Sequence, residues 1–194
     1  MKLMIFDTET TGLPPKSLTA SKQNVHLFPH LIQLGYQIFN DDVLESEFCS
    51  IVLPSTAFDI SESAFNAHGI SKEKIMKEGK PVIEVMRGFY KALQGIDLVI
   101  CHNLWFDSML INCEFLRIGY PSPLLKTNNF CTMEHTTNIL KLPSPYRGKF
   151  KFPKLVELHN YLFGENFEGA HDALNDVKAT AKCYFEMKRI GLIE

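Results

Sequence analysis

The chain has 194 residues, 45% hydrophobic and 22% charged, which excludes a largely disordered polypeptide and suffices for one compact domain with a substantial core. Twenty basic against 22 acidic residues give a net charge of −2. That excludes a generic basic coat for nucleic acid, but not an enzyme that meets nucleic acid through metal ions and a few local cations. No apolar run approaches the ~20 residues of a membrane helix, and no leader-like segment opens the chain. The five scattered cysteines contain no C-x-x-C pair, which fits a reducing cytoplasm.

Leu3-Met4-Ile5-Phe6 reads as a buried strand ending at Asp7. Residues 10–28, with Gly12 and Pro14-Pro15, form a connection long enough to be functional or mobile. Residues 31–39 and 49–53 read as two further strands, with Asn40-Asp41-Asp42 as turn residues; the three make an antiparallel meander. Val82, Val85, Met86, Phe89, Tyr90 and Leu93 fall at helical spacing behind Pro81, which suits a first turn. Residues 97–101 are another buried strand, running into a helix from about 103 to 117 that Gly119 and Pro121 stop. Residues 127–131 add an edge strand, 141–153 a loop and 154–163 a short helix. The last helix spans about 172–189, striped with Val177, Ala181, Tyr184 and Met187. With no repeat or linker, this order predicts a single α/β domain over 1–194 with a mixed sheet.

Three places along this order concentrate chemistry. Asp7 and Glu9 are two apart, so a strand presents both on one face. Carboxylates pointing the same way repel each other, and a divalent cation between them removes that penalty; oxygen ligands suit Mg²⁺ or Mn²⁺. Asp107 follows the strand at 97–101, where α/β folds place ligand sites, about one turn behind an expected Asn103 N-cap. His171 and Asp176, five apart, would diverge by ~140° within a helix. They meet if Asp172 is the N-cap and His171 lies outside the helix, where its imidazole can act as a general base.

These segments resemble the DnaQ-like exonucleases of the DEDDh group, a family that includes the proofreading epsilon subunit of bacterial DNA polymerase III. Phe6-Asp7-Thr8-Glu9-Thr10-Thr11-Gly12-Leu13 matches the family's first motif. His102-Asn103-Leu104-Trp105-Phe106-Asp107 matches its H-N-x-x-F-D motif, and His171-Asp172-Ala173-Leu174-Asn175-Asp176 its H-x-A-x-x-D motif. Ala67-His68-Gly69-Ile70-Ser71 is similar to its H-G-I segment. Four such matches in the right order outweigh the weakness of any one.

The resemblance implies a ribonuclease H-like α/β fold, with a central mixed sheet of about five strands flanked by helices. It implies a 3′–5′ exonuclease that releases nucleoside 5′-monophosphates from single-stranded or frayed DNA. Asp7, Glu9, Asp107 and Asp176 would hold two divalent ions, Mg²⁺ or Mn²⁺, with His171 as base. Thr8, Thr10, Gly12, Leu13, His68, Asn103 and Phe106 would line the terminal nucleotide, Leu13 as a wedge against its base. The partners implied are 3′ ends of single-stranded nucleic acid, DNA before RNA, and a DNA polymerase; no membrane is expected, and monomer and homodimer both stay open. The alternatives are an RNA-trimming exoribonuclease, separated by the 2′ hydroxyl, and a non-catalytic nucleic-acid or polymerase-binding module.

Some positions depart from the commoner pattern. Leu104 and Trp105 are large, and Ser63 stands where proofreading subunits carry an acid. With the end at Glu194 soon after the last helix, the expectation is a stand-alone exonuclease or one held by surface contacts alone. Lys141, Arg147, Lys149, Lys151 and Lys154 alternate with Tyr146, Phe150 and Phe152, a composition suited to single-strand contact.

Overall fold

Strand β1 (Lys2–Thr10) alternates its side chains between two apolar layers. In the computed structural model, which describes residues 1–193, Met4 and Phe6 share one buried cluster with Val85, Met86 and Phe89 and with Leu110, Ile111 and Phe115. Leu3 and Ile5 share another with Val177, Ala181 and Tyr184. The same alternation puts Asp7 and Glu9 on the Leu3–Ile5 face and Thr8 on the opposite one.

Antiparallel to β1 runs β2 (Leu31–Asn40), and antiparallel to that runs β3 (Val43–Leu53). Two short helices follow, α1 (Glu62–His68) and α2 (Lys72–Glu78), then the two-residue β4 (Lys80–Pro81) beside the end of β3. Helix α3 (Val82–Ala92) leads to β5 (Leu98–Cys101), parallel to β1, and α4 (Leu104–Arg117) to β6 (Asn128–Cys131), parallel to β5. Helices α5 (Thr132–Leu140), α6 (Leu155–Phe163) and α7 (Ala173–Arg189) complete the described chain. The sheet order is β4-β3-β2-β1-β5-β6.

The meander, the two central helices and the last helix follow the apolar periodicity. The differences have physical causes. The sheet has six strands, the sixth being the two-residue β4, too short to leave a pattern. Strand β1 continues past Asp7 to Thr10, so the acids lie within the strand rather than at its end. Strand β3 begins at Val43, not at residue 49, because its first five residues are exposed and show no apolar alternation. Helices α1 and α2 bury no residue and one residue respectively, while α5 buries only Thr132 and Thr136, so none carries an apolar stripe. The first two are instead defined by their caps, with Ser61 accepting from Ala64 N and Ser71 from Lys74 N. Pro81 precedes the first turn of α3 and pairs with Leu53.

The long connection between β1 and β2 has an anchored far end. Arg117 donates to the carbonyls of Val25 (2.9 Å), Phe28 (2.7 Å) and Pro29 (3.1 Å) and pairs with Glu114 at 2.6 Å. Glu114 is buried, which pushes its pKa up, and its Oε1 also accepts from Leu31 N at 3.0 Å. Arg117→Met leaves that carboxylate without its partner and is expected to cost ~3–5 kcal/mol of stability, read by urea denaturation. A Glu114→Gln, Arg117→Met double variant should recover part of the loss, because the buried charge is then gone.

Candidate active site

The β1–β2 register sets Asp7 beside Gly35 and Glu9 beside Gln33. A Cβ at Gly35 would lie 2.8 Å from the carbonyl carbon of Ala173, so the first turn of α7 rests directly on the sheet there. Gln33 secures that turn from both ends of its amide. Its Nε2 donates to Asp172 Oδ2 at 2.8 Å, and its Oε1 accepts from Ala173 N at 3.1 Å. Asp172 caps the helix as the spacing predicts, with Oδ1 accepting from Leu174 N and Asn175 N at 3.2 Å each. Upstream of the cap the chain turns through a left-handed His171, at φ 67°, whose amide donates to Asp176 Oδ2 at 3.1 Å. Glu9, His171 and Asp176 thereby offer ligand atoms that all lie within 4.8 Å of one another.

Asp107 approaches from α4. It is only 3% exposed, and its Oδ1 accepts from Thr8 N at 3.0 Å and Thr8 Oγ1 at 2.6 Å. Asn103 occupies the N-cap position in a left-handed conformation, φ 74°, with no side-chain cap hydrogen bond. Asp107 is thus fixed by the strand rather than by an Asx cap. The structure brings Asp7, Glu9, Asp107 and Asp176 close enough to shift one another. Asp7 is raised well above the usual carboxylate range, first by burial and then by Asp107, Asp176 and Glu9. Burial raises Glu9 to about 8, helped by Asp176 and Asp107. Burial raises Asp107 to about 7 against the pull of the Thr8 hydrogen bonds, and Asp176 to about 6 against the His171 amide. Asp176 Oδ1 is buried with no hydrogen-bond partner among the described residues. An oxygen-rich, self-repelling set with an unpaired buried oxygen fits a hard divalent cation.

The remaining expected contacts divide. Thr8 commits both its amide and its hydroxyl proton to Asp107. Thr10 is buried and turned inward, donating from Oγ1 to Gly12 O at 2.6 Å and accepting from Gly12 N at 3.2 Å. His68 accepts from Ile70 N through Nδ1 (3.0 Å), so its Nε2 donates to Thr10 O (3.1 Å). Burial lowers the His68 pKa in agreement with this neutral tautomer, and the ring braces the turn instead of offering a free polar edge. His102 likewise spans Thr132 Oγ1 and Pro153 O at 2.9 Å each, and burial lowers it to about 4. Leu13 is 79% exposed and Phe106 half-buried, so both remain available to a ligand. Of the basic loop, Lys151 is paired with Glu157 at 2.6 Å, whereas Arg147 and Lys149 are exposed and form no ion pair among the described residues. Gln33, Gly35 and Asp172 hold the site together, yet sequence reasoning assigned a positional role only to Asp172. A glycine inside an apolar strand signals a close backbone approach. Gln33 gives no such signal, because its partner lies 139 residues away.

Two outcomes follow from this geometry. Gln33→Leu leaves Asp172 Oδ2 and Ala173 N unpaired and should cost ~1–3 kcal/mol in urea denaturation. The acids have folded-state pKa values above their unfolded ones, so these groups bind more protons in the folded protein than in the unfolded chain between about pH 4 and 8. In chelator, their contribution to stability is present below that window and lost as pH rises through it, opposed between about pH 4 and 6.5 by the two buried histidines His30 and His102, lowered to about 4. The Tm at pH 8 should be lower than at pH 5, and Asp107→Asn should narrow the gap.

The exonuclease (RNase_T) family model matches residues 4–184. The chain is 25% identical over 178 residues to a DNA polymerase III PolC-type protein of Listeria welshimeri, covering 91% of this chain and 10% of that one. It is 27% identical over 190 residues to a DNA polymerase III subunit epsilon-like protein of Rhodobacter capsulatus, covering 96% of this chain and 24% of that one. The chain therefore spans from a tenth to about a quarter of these relatives. In fold it is similar to E. coli exonuclease I in complex with a dT13 oligonucleotide, at TM-score 0.75 and 17% identity over 98% of this chain and 42% of that one. The nuclease domain of 3′hExo, a DEDDh family member bound to rAMP, gives TM-score 0.72 at 17% identity over 98% of this chain and 93% of that one. The mixed sheet flanked by helices is the ribonuclease H-like exonuclease fold that these neighbours share. With four family motifs in order and a family match across residues 4–184, the chain belongs to the DnaQ-like exonucleases.

Proposed function

We propose that residues 1–194 form a single metal-dependent 3′–5′ exonuclease domain that releases nucleoside 5′-monophosphates from the 3′ end of single-stranded or frayed DNA. The observation that carries this reading is the convergence of Glu9, His171 and Asp176 within 4.8 Å, beside Asp7 and Asp107, with Asp176 Oδ1 buried and unpaired. Asp7, Glu9, Asp107 and Asp176 would hold two divalent ions, Mg²⁺ or Mn²⁺, which when bound polarise the scissile phosphate and make water a better nucleophile.

The chain's own groups do the rest. His171 is exposed beside Glu9 and Asp176, so its imidazole can reach the attacking water and take its proton. Thr8 keeps Asp107 ionisable in a desolvated position by donating to it twice. Thr10 and His68 brace the turn that presents Gly12 and Leu13, and Leu13 is free to replace base stacking at the terminal nucleotide. The relation to DNA polymerase III proteins and to an exonuclease crystallised with dT13 favours DNA, and supports a polymerase as partner. The neighbour bound to rAMP supports RNA as the second reading. Among the described residues no helix is long and apolar enough to cross a membrane. We place the domain in the cytoplasm on its unpaired cysteines.

The test is a time course on matched 5′-labelled single-stranded DNA and RNA with Mg²⁺ or Mn²⁺. A ladder shortening from the 3′ end of DNA is expected, absent in Asp7→Asn and Asp176→Asn. His171→Ala should slow the reaction by ~10²–10⁴. Cleavage of RNA alone selects the second reading, and no cleavage by folded protein rejects both. Replacing Arg147 and Lys149 with Glu should weaken oligonucleotide binding and flatten its salt dependence; an unchanged slope removes the loop from the interface.

A further inference from the structure

Strand β3 is paired along its outer edge only at Val52 and Leu53, by the two-residue β4. Among the described residues no strand lies beside residues 46–51 on that edge, although their pairing with β2 on the inner edge is regular. The open stretch is ~20 Å long and turns the N–H and C=O groups of alternate residues outward. Such an edge is a template for a further strand unless it is covered or blunted. It carries no proline, and its one acid, Glu47, is tied back on the α7 face by Gln37 at 2.7 Å and Lys178 at 3.4 Å.

On the opposite face of the sheet, a hollow of about 590 Å³ lies between Phe48 and Pro81 at this edge and Ile83, Arg87, Gly88 and Lys91 of α3. Ile83 is 40% exposed there. A Cβ at Gly88 would meet nothing within 4 Å. Glycine inside a helix lowers its stability relative to alanine, and no neighbour within the chain requires one here, so Gly88 keeps the hollow open at the helix's expense. Arg87 and Lys91 are exposed at the rim, Lys80 Nζ lies 5.9 Å from the Phe48 ring centroid, and none of the three forms an ion pair among the described residues. Glu84 is the hollow's one acid.

Edge and hollow together define the occupant. The edge calls for an extended polypeptide, because only a backbone repeats N–H and C=O at the strand's own spacing. The rim, with three cations against one acid, calls for negative charge. A second copy of this chain would set the same three cations against themselves, and like charges brought together at an interface are costly. We propose that residues 46–51 and the hollow beside α3 bind an extended acidic segment of a partner protein, added to β3 as a further strand. Side chains two apart on a strand share a face. One apolar side chain therefore fills the hollow at Gly88, and the acids two residues to either side of it meet the rim cations. The surface lies on the α3 side of the sheet, away from α7, and does not depend on the exonuclease reading.

The probe is a fluorescein-labelled Thr-Glu-Thr-Val-Thr-Glu-Thr peptide, titrated with the full chain and read by fluorescence anisotropy. Saturable binding with Kd below ~100 µM is expected. Arg87→Glu with Lys91→Glu should weaken it by ~10-fold or more, and a peptide with Lys for both Glu should not bind. Gly88→Leu fills the hollow from an exposed helical position, so it should abolish binding while leaving the Tm and any nuclease rate unchanged.

Two further peptides, N-methylated at the odd or at the even residues, test the strand itself. An added strand pairs through one of its edges, so one of the two should bind and the other should not. No saturable binding, binding that survives Gly88→Leu, or equal behaviour of the two methylated peptides overturns the proposal. Displacement of the peptide by dT10 gives the hollow to nucleic acid instead. A concentration-dependent dimer in sedimentation, lost in Gly88→Leu, gives the edge to a second copy. Either result also overturns the proposal.

Discussion

At Gly35 the sheet leaves no room for a side chain, because the backbone of Ala173 occupies the space. Everything at the site depends on that approach. Gly35 neighbours Asp7, and Gln33, two residues earlier, neighbours Glu9. The start of α7 thus seats on β2, beside the strand that carries the first carboxylate pair. A methyl group at Gly35 would lift the start of α7, and with it His171 and Asp176, off β1. The Gln33 amide then secures the turn with one donor and one acceptor. Gly35 sets the distance and Gln33 the orientation.

The fold uses that approach to oppose electrostatics. Four carboxylates are drawn from β1, α4 and α7 into a space where burial is the first cause of each raised pKa. Isolated, such groups would stay protonated or drift apart. They are held by apolar packing on both faces of β1, by two hydrogen bonds from Thr8 and by the Asp172 cap, none of which uses the acids' own affinity for one another. The packing energy of the core is in this sense stored as a preorganised charge cluster, and a divalent cation would release it.

A second division runs through the loop between β1 and β2. Its far end is fixed by Arg117 and Glu114, whereas its near end presents Leu13 to solvent. A connection of this length is tolerable because one end is tied to α4 by Arg117 and its buried ion pair, leaving the other open to solvent. His68, expected from the motifs to line the terminal nucleotide, and the motif residue His102 both join segments through both ring nitrogens. A histidine in a motif is thus not by itself evidence of contact with a substrate. His171 differs from these two in its exposed position beside two acids.

By itself the sequence determined the meander, the order of the main helices and the family, and it singled out four acids and a histidine that the fold brings near one another. These follow from periodicity and short motifs, which are local properties that survive without knowledge of the fold. Its helical spacing also foretold that His171 had to lie outside α7 to meet Asp176, and the Asp172 cap shows why. Helices without apolar stripes left no trace, since α1, α2 and α5 are defined by caps and polar burial. Only the tertiary structure decided that Thr8 donates to Asp107, and that Gln33 and Gly35 seat α7. Each of these depends on partners distant in the chain and adjacent only after packing, and no spacing rule reaches across that distance.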